Sequence, residues 1–115
     1  MNKLEKVIHR DGFNHVVTTT NIAAGKVLYI MSGTIKSEPD KYSIQIGQGL
    51  HIMDKFGMYI NHSFSPNVQI SGKTIISLRD ITEGEEITFN YLENEDLIFS
   101  PFICKESGIR VKKDA

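Results

Sequence analysis

Apolar residues in this chain come in short bursts broken by turn formers, and little of it follows the three- and four-residue spacing of an amphipathic helix. Val27 to Met31 is an unbroken apolar run of strand length, consistent with a buried strand. Tyr42, Ile44 and Ile46 alternate with Ser43 and Gln45, the period of a half-buried strand. Ile87, Phe89 and Tyr91 alternate with Thr88 and Asn90, so these three are expected to share one face of a strand. Val68 to Ile70 and Lys73 to Leu78 flank Ser71-Gly72, a hairpin signal, because glycine accepts the positive φ that tight turns require. Thr82-Glu83-Gly84-Glu85 reads as a polar turn around a glycine. Lys55 to Pro66 fits neither period and is expected to hold a short helical turn or an irregular crossing. The fold class that follows is mainly β, one domain built from several small sheets.

Size and charge narrow the function classes. A chain of 115 residues suits one domain with a shallow core and leaves no room for a second. A net charge of -1 argues against an electrostatic nucleic-acid binder, which carries a basic excess. No run approaches the roughly 18 apolar residues of a membrane span. Met1 to Arg10 interleaves charges with its apolar residues and lacks a signal-peptide core, so the expected location is cytoplasmic, with Asn61-His62-Ser63 a chance glycosylation sequon. Cys104 is the sole cysteine, which excludes an intrachain disulfide; His9, His15, His51 and His62 are scattered, so no metal is expected. His62 and Ser63 are neighbours and point apart on an extended chain, a poor nucleophile-base pair. Neither a phosphate-binding glycine loop nor a dinucleotide fingerprint is present.

Two segments stand out, Tyr59-Ile60-Asn61-His62-Ser63-Phe64-Ser65-Pro66-Asn67 and Gly84-Glu85-Glu86-Ile87-Thr88-Phe89-Asn90-Tyr91. Alone, the first could be an Asx-type turn closed by Pro66. Together, in this order and about thirty residues apart, they resemble the paired signature of the SET-domain protein-lysine methyltransferases. That signature is Asn-His-Ser-x-x-Pro-Asn followed by Gly-Glu-Glu-apolar-x-(Phe/Tyr)-(Asp/Asn)-Tyr, and every position is filled here. The resemblance extends to Asn21 to Leu28, to the tyrosine-led strand Tyr42 to Ile46, to Ser77-Leu78-Arg79-Asp80-Ile81 and to Pro101-Phe102-Ile103-Cys104. It implies a single stand-alone SET domain over residues 1–115, with its core at about 12–104 and a tail at 105–115.

The resemblance implies a β-clip-like fold in which the two signature segments cross as a C-terminal pseudoknot. It implies S-adenosylmethionine as methyl donor, S-adenosylhomocysteine as product, and a lysine-bearing, basic protein as substrate. Tyr91 would be the catalytic residue at the inner mouth of a channel joining cofactor to lysine. Tyr42 and Phe89 would line that channel, and Asn61, His62, His15 and Phe102 would contact the cofactor. A tyrosine at the Phe89 position tends to restrict the product to monomethyl-lysine in this family, so Phe89 implies di- or trimethylation. As plain β-protein residues, Tyr91 and Tyr42 would be half-buried strand aromatics, Phe89 a core residue and Phe102 an anchor for the tail.

The chain also departs from the family. Where most members carry Gly-x-Gly before the first apolar strand, Phe13-Asn14-His15 stands here, with Gly12 before it. Met58-Tyr59 replaces the usual Arg-Phe, and the zinc-binding cysteine cluster of some branches is reduced to Cys104. The first departure leaves a second reading, a catalytically inactive SET-fold binding or assembly module, possible beside the enzyme. Self-association into a homodimer is one way for so small a member to complete a substrate surface. Glu83, Glu85, Glu86, Glu93, Glu95 and Asp96 are expected either to form an acidic rim that draws a basic substrate or to be a solvated loop.

Overall fold

The computed structural model describes residues 4–7, 14–40, 42–95, 102–103 and 107–112. Strands β1 (Leu4–Val7) and β2 (His15–Thr18) pair antiparallel. They are followed by β3 (Val27–Ile30), β4 (Gly33–Lys36), β5 (Ile44–Gly47) and β6 (Leu50–Asp54). A 3₁₀ turn at Gly57–Tyr59 leads into β7 (Asn61–His62), then β8 (Val68–Ser71), β9 (Thr74–Ser77) and β10 (Thr88–Phe89). One helical turn, α1 (Tyr91–Asn94), precedes β11 (Phe102–Ile103) and β12 (Arg110–Val111). Among the described residues the strands form two three-stranded sheets, β3-β9-β8 and β4-β6-β5, and the pairs β1-β2, β7-β10 and β11-β12.

The sheets are small because turn chemistry interrupts every apolar burst. β8 and β9 close as a hairpin over Gly72, whose φ of 58° is open to glycine at little steric cost. Thr82 to Glu85 forms the expected turn: Glu85 N–H donates to the Thr82 carbonyl at 2.9 Å, and the Glu85 carboxylate accepts from Thr82 N–H at 3.1 Å. The short helical turn expected between Lys55 and Pro66 is the 3₁₀ turn.

Two strand expectations need correction. β3 exists, but it is a sheet edge rather than a buried strand: Val27 and Ile30 are 47% and 63% exposed, while Leu28 and Met31 point into the core. A register shift between Val27 and Tyr29 accompanies this, and contiguous apolar residues alone cannot distinguish an edge from a centre. β5 begins at Ile44, not Tyr42. Asp40 Oδ1 accepts both Tyr42 N–H (2.8 Å) and Ser43 N–H (3.0 Å), a local turn that competes with strand pairing and leaves Tyr42 exposed.

The core gathers one or two inward residues from most strands. Val16, Ile52, Ile60, Ile75, Ile81 and Ile87 are sealed from solvent, each burial contributing about 1.5–3 kcal/mol. On the surface, Arg79 Nη2 donates to Glu85 Oε2 at 2.7 Å. That bond, then the Thr82 N–H and, more weakly, Asn67, outweigh desolvation and hold the Glu85 carboxyl below its ordinary value of 4.5. A depressed folded-state value means the associated stability is complete above about pH 4.5 and is lost as pH falls through the folded-state value. Urea midpoints of wild type and Glu85→Gln should therefore differ at pH 7 and converge toward pH 3.

Candidate functional site

The two signature segments meet in space. β7 and β10 run parallel, with Asn61 opposite Thr88 and His62 opposite Phe89, and Ser63 N–H donates to the Phe89 carbonyl at 3.2 Å. Parallel neighbours require a crossover connection, which residues 63–87 supply, including the β8-β9 hairpin. Asn67, 2% exposed, ties that connection to β10. Its Oδ1 accepts Thr88 N–H at 2.9 Å, and its Nδ2 donates to the Glu86 carbonyl at 2.8 Å and to Glu85 Oε2 at 3.2 Å. Ile87 N–H donates to the Val16 carbonyl at 2.9 Å, joining β2 to the same assembly.

Of Ile87, Phe89 and Tyr91, expected to share one strand face, only Phe89 lies in β10; Ile87 precedes it and Tyr91 follows it. Asn90 stays extended (φ -87°, ψ 109°) and caps α1, its side-chain oxygen accepting Leu92 N–H at 2.9 Å. Tyr91 thus opens a helical turn and is held from two sides. Its N–H donates to His62 Nδ1 at 3.0 Å, and its hydroxyl donates to the Ile60 carbonyl at 2.5 Å. The two residues flanking Asn61 therefore fix both ends of Tyr91. The Tyr91 ring lies 4.7 Å from Phe89 and 5.3 Å from His62, centroid to centroid, and Phe64 packs edge-on to His62 at 4.4 Å.

This arrangement defines protonation states. His62 Nδ1 accepts, so the ring proton of the neutral imidazole sits on Nε2. Burial first, then the Glu95 and Glu86 charges, push the Tyr91 phenol above its ordinary value of 10, so it stays protonated. A hydroxyl that donates to Ile60 can also accept through its oxygen, chemistry that suits cationic or polarised groups.

Asn61 is exposed, and its Nδ2 donates to the Asn14 carbonyl at 3.0 Å and to Glu86 Oε2 at 2.9 Å. The buried Asn14 Oδ1 has no hydrogen-bond partner among the described residues.

The SET domain family model matches residues 14–92. The chain belongs to the SET-domain family. It is 40% identical over 76 residues to the variant-silencing SET domain-containing protein of Plasmodium falciparum, covering 55% of this chain and 3% of that protein. The chain thus spans a small fraction of that relative. A candidate histone methyltransferase of Plasmodium falciparum has a similar fold, with TM-score 0.61, 18% identity, and coverage of 79% of this chain and 94% of that one. The Chaetomium thermophilum polycomb repressive complex 2 matches with TM-score 0.63 and 16% identity over 78% of this chain and 15% of that one. The same complex, autoinhibited and bound to S-adenosylmethionine, matches with TM-score 0.62 and 18% identity, over 82% and 16% of the respective chains. At these identities the solved structures show a shared fold. Members of the SET-domain family are protein-lysine methyltransferases.

Within this SET domain the expected site residues separate into two groups. Asn61, His62, Phe89 and Tyr91 come together around β7 and β10. Phe89 is 3% exposed and belongs to the core while touching Tyr91. His15 opens β2, with its backbone in the ladder opposite Val7. Tyr42 lies on the surface, 44% exposed. The strand after it is clamped to α1: Gln45 N–H donates to Glu95 Oε2 at 2.8 Å, and Asn94 Nδ2 donates to the Gln45 carbonyl at 3.0 Å. An open hollow lined by Gln45, Ile46, Gly47, Gln48, Ile70, Gly72 and Asn94 adjoins this clamp, and Tyr91, Asn61 and His62 do not line it.

Phe102 lies in β11 opposite Val111; its side chain, with Gly12, Phe13, Asp96 and Cys104, falls outside the described residues. Among the described residues no group of three or more His, Cys, Asp or Glu side chains could hold a metal, and no helix is long and apolar enough to cross a membrane.

The acidic residues expected at a rim or in a solvated loop are not all free at the surface. Glu95 is 7% exposed and spent on Gln45, Glu85 is paired with Arg79, and Glu86 holds Asn61. The sequence reasoning also assigned no role to Asn67, Ile60 or Asp54. Asn67 lay within a recognised motif, but its partners are eighteen or more residues away, and Ile60 acts through a main-chain oxygen that carries no side-chain signal. An aspartate just before Lys55-Phe56-Gly57 is an Asx-turn signal that could have been read.

Proposed function

We propose that this SET domain is an S-adenosylmethionine-dependent protein-lysine N-methyltransferase that carries its substrate to the di- or trimethyl state. The observation that carries this reading is Tyr91, held by His62 through its N–H and by Ile60 through its hydroxyl, with its ring against Phe89. The buried Asn14 Oδ1 beside Asn61, unpartnered among the described residues, suits a cofactor with an amino-acid end, because an ammonium supplies a donor. Asn61, His62, His15 and Phe102 are the residues that would hold the cofactor. When bound, S-adenosylmethionine supplies a methyl group on a positively charged sulfur.

The chain's own contribution is positioning and desolvation. The Tyr91 oxygen accepts from the substrate amine and orients it, and alignment of this kind is worth up to about 7–11 kcal/mol in the best cases. The Tyr91 and Phe89 rings disfavour solvation of a charged ammonium beside them and so favour the neutral amine that can attack. Because the Tyr91 phenol stays protonated, the rise in rate with pH should follow the substrate amine and not this tyrosine.

Phe89 leaves the space beside Tyr91 without a hydroxyl. Phe89→Tyr should shift the product toward monomethyl-lysine, measured by mass spectrometry of a methylated basic protein. Only monomethyl product from wild type, unchanged in Phe89→Tyr, would remove the multiple-methylation reading.

The function is tested by calorimetric titration with S-adenosylmethionine and S-adenosylhomocysteine, followed by labelled-methyl transfer to basic proteins. Saturable one-to-one binding and lysine labelling are expected. One observation favours the second reading, a non-catalytic binding or assembly module: the Asn61 amide is already engaged by the Asn14 carbonyl and Glu86. Absence of binding at millimolar cofactor would select it.

A further inference from the structure

We propose that Asp54 is a positioning residue for the site: its buried carboxylate fixes, through the 3₁₀ turn that follows it, the Ile60 carbonyl on which Tyr91 rests. The proposal builds on the reading of Tyr91 as the catalytic group. Asp54 ends β6 and is 1% exposed. Its Oδ1 accepts from the Tyr29 hydroxyl and Ser32 N–H, and its Oδ2 from Phe56 N–H and Gly57 N–H, all at 2.9 Å. Each oxygen therefore holds two donors, and none of the four is charged.

Tyr29 is suited to its part. Burial, then the hydrogen bond to Asp54 and the Asp54 charge, push its phenol above the ordinary value, so it remains a donor. Its ring stands edge-on to Phe56 at 5.4 Å, bracing the start of the turn.

From Asp54 a chain of hydrogen bonds leads through the backbones of Gly57 and Ile60 to the site, each residue held by its N–H and holding the next group by its carbonyl. Gly57 N–H donates to Asp54; Ile60 N–H donates to the Gly57 carbonyl at 3.1 Å; the Tyr91 hydroxyl donates to the Ile60 carbonyl. The turn has no slack on its inner side. A Cβ at Gly57 would come within 2.8 Å of Ile44 Cδ1, 3.1 Å of Met31 Sδ and 3.3 Å of Asp54 Cβ. A buried carboxylate is a costly way to fill space, since well-packed apolar side chains often serve stability as well or better. What it supplies here is direction: four donors on two oxygens set the angle at which the chain leaves β6 and enters β7.

The test compares Asp54→Asn, Tyr29→Phe and a core control, Ile81→Val, which takes no part in this chain of hydrogen bonds. Asp54→Asn keeps the shape but turns one oxygen into an amide that faces two donors. Tyr29→Phe removes one donor and adds none, so it serves if the first variant fails to fold. The direct readout is the Tyr91 hydroxyl proton in the NMR spectrum, expected downfield and slow to exchange in wild type. In Asp54→Asn it should shift upfield and exchange fast, and in Tyr29→Phe it should move the same way by less. The control, compared at matched thermal stability, should leave it in place. Methyl transfer by Asp54→Asn should fall by about 100-fold in kcat, with cofactor affinity near wild type. A folded Asp54→Asn protein with an unchanged hydroxyl signal would overturn the proposal, as would a shift no larger than in the control. Failure of the wild type to bind cofactor would instead refute the function, leaving the hydroxyl signal to decide the role of Asp54.

Discussion

Tyr91→Phe should abolish most methyl transfer, lowering kcat by about 100- to 1,000-fold while cofactor binding stays close to wild type. The substitution removes one oxygen and keeps the ring that packs on Phe89 and His62. The hydrogen bond from Tyr91 N–H to His62 Nδ1 is a main-chain contact and also survives. What is lost is the acceptor offered to the substrate amine, which matters most when the amine is aligned for attack. The substitution also strands the Ile60 carbonyl, which costs about 1–3 kcal/mol, so thermal stability should fall modestly. Calorimetric cofactor titration beside steady-state transfer separates the two effects. A variant that keeps wild-type kcat would reduce Tyr91 to a packing residue.

Asn67→Ala should be strongly destabilising. It leaves Thr88 N–H and the Glu86 carbonyl without their partner at the point where the crossover connection meets β10, and it opens a small cavity. A loss of about 3 kcal/mol is expected from stranded buried groups of this kind. At about 4–8 °C per kcal/mol for a domain near this size, that is a fall in Tm of roughly 12–24 °C by calorimetry. Asn67→Asp should do no better, because a carboxylate can accept from Thr88 but cannot donate to Glu86, and it adds charge beside Glu85. Near-wild-type Tm in Asn67→Ala would mean that β7 and β10 hold each other without the asparagine.

The outcomes for individual elements differ for physical reasons. The β8-β9 hairpin and the Thr82–Glu85 turn were legible because both depend on contacts within a few residues and on a glycine at positive φ. β3 was legible as a strand but not as an edge, since its exposure depends on which strand lies beside it. Tyr91 was misplaced onto a strand because alternation continues through it, while the Asn90 cap that turns the chain into α1 is a local competitor of equal range. Tyr42 was misplaced for the same reason by Asp40.

The amino-acid sequence by itself determined the mainly β class, the glycine turns at Gly72 and Gly84 and the family, the last through two motifs whose residue types and order are specific together. It also named the residues that meet around β7 and β10, since Asn61, His62, Phe89 and Tyr91 all lie in those motifs. Tertiary structure alone decided how they are held. The Tyr91 hydroxyl rests on a main-chain carbonyl thirty-one residues away, Asn67 wires a crossover by bonds spanning eighteen to twenty-one, and Asp54 anchors the turn between them. Local propensity has a reach of a few residues. The direction of a hydrogen bond between distant segments is set only when the core packs and brings donor and acceptor within 3 Å.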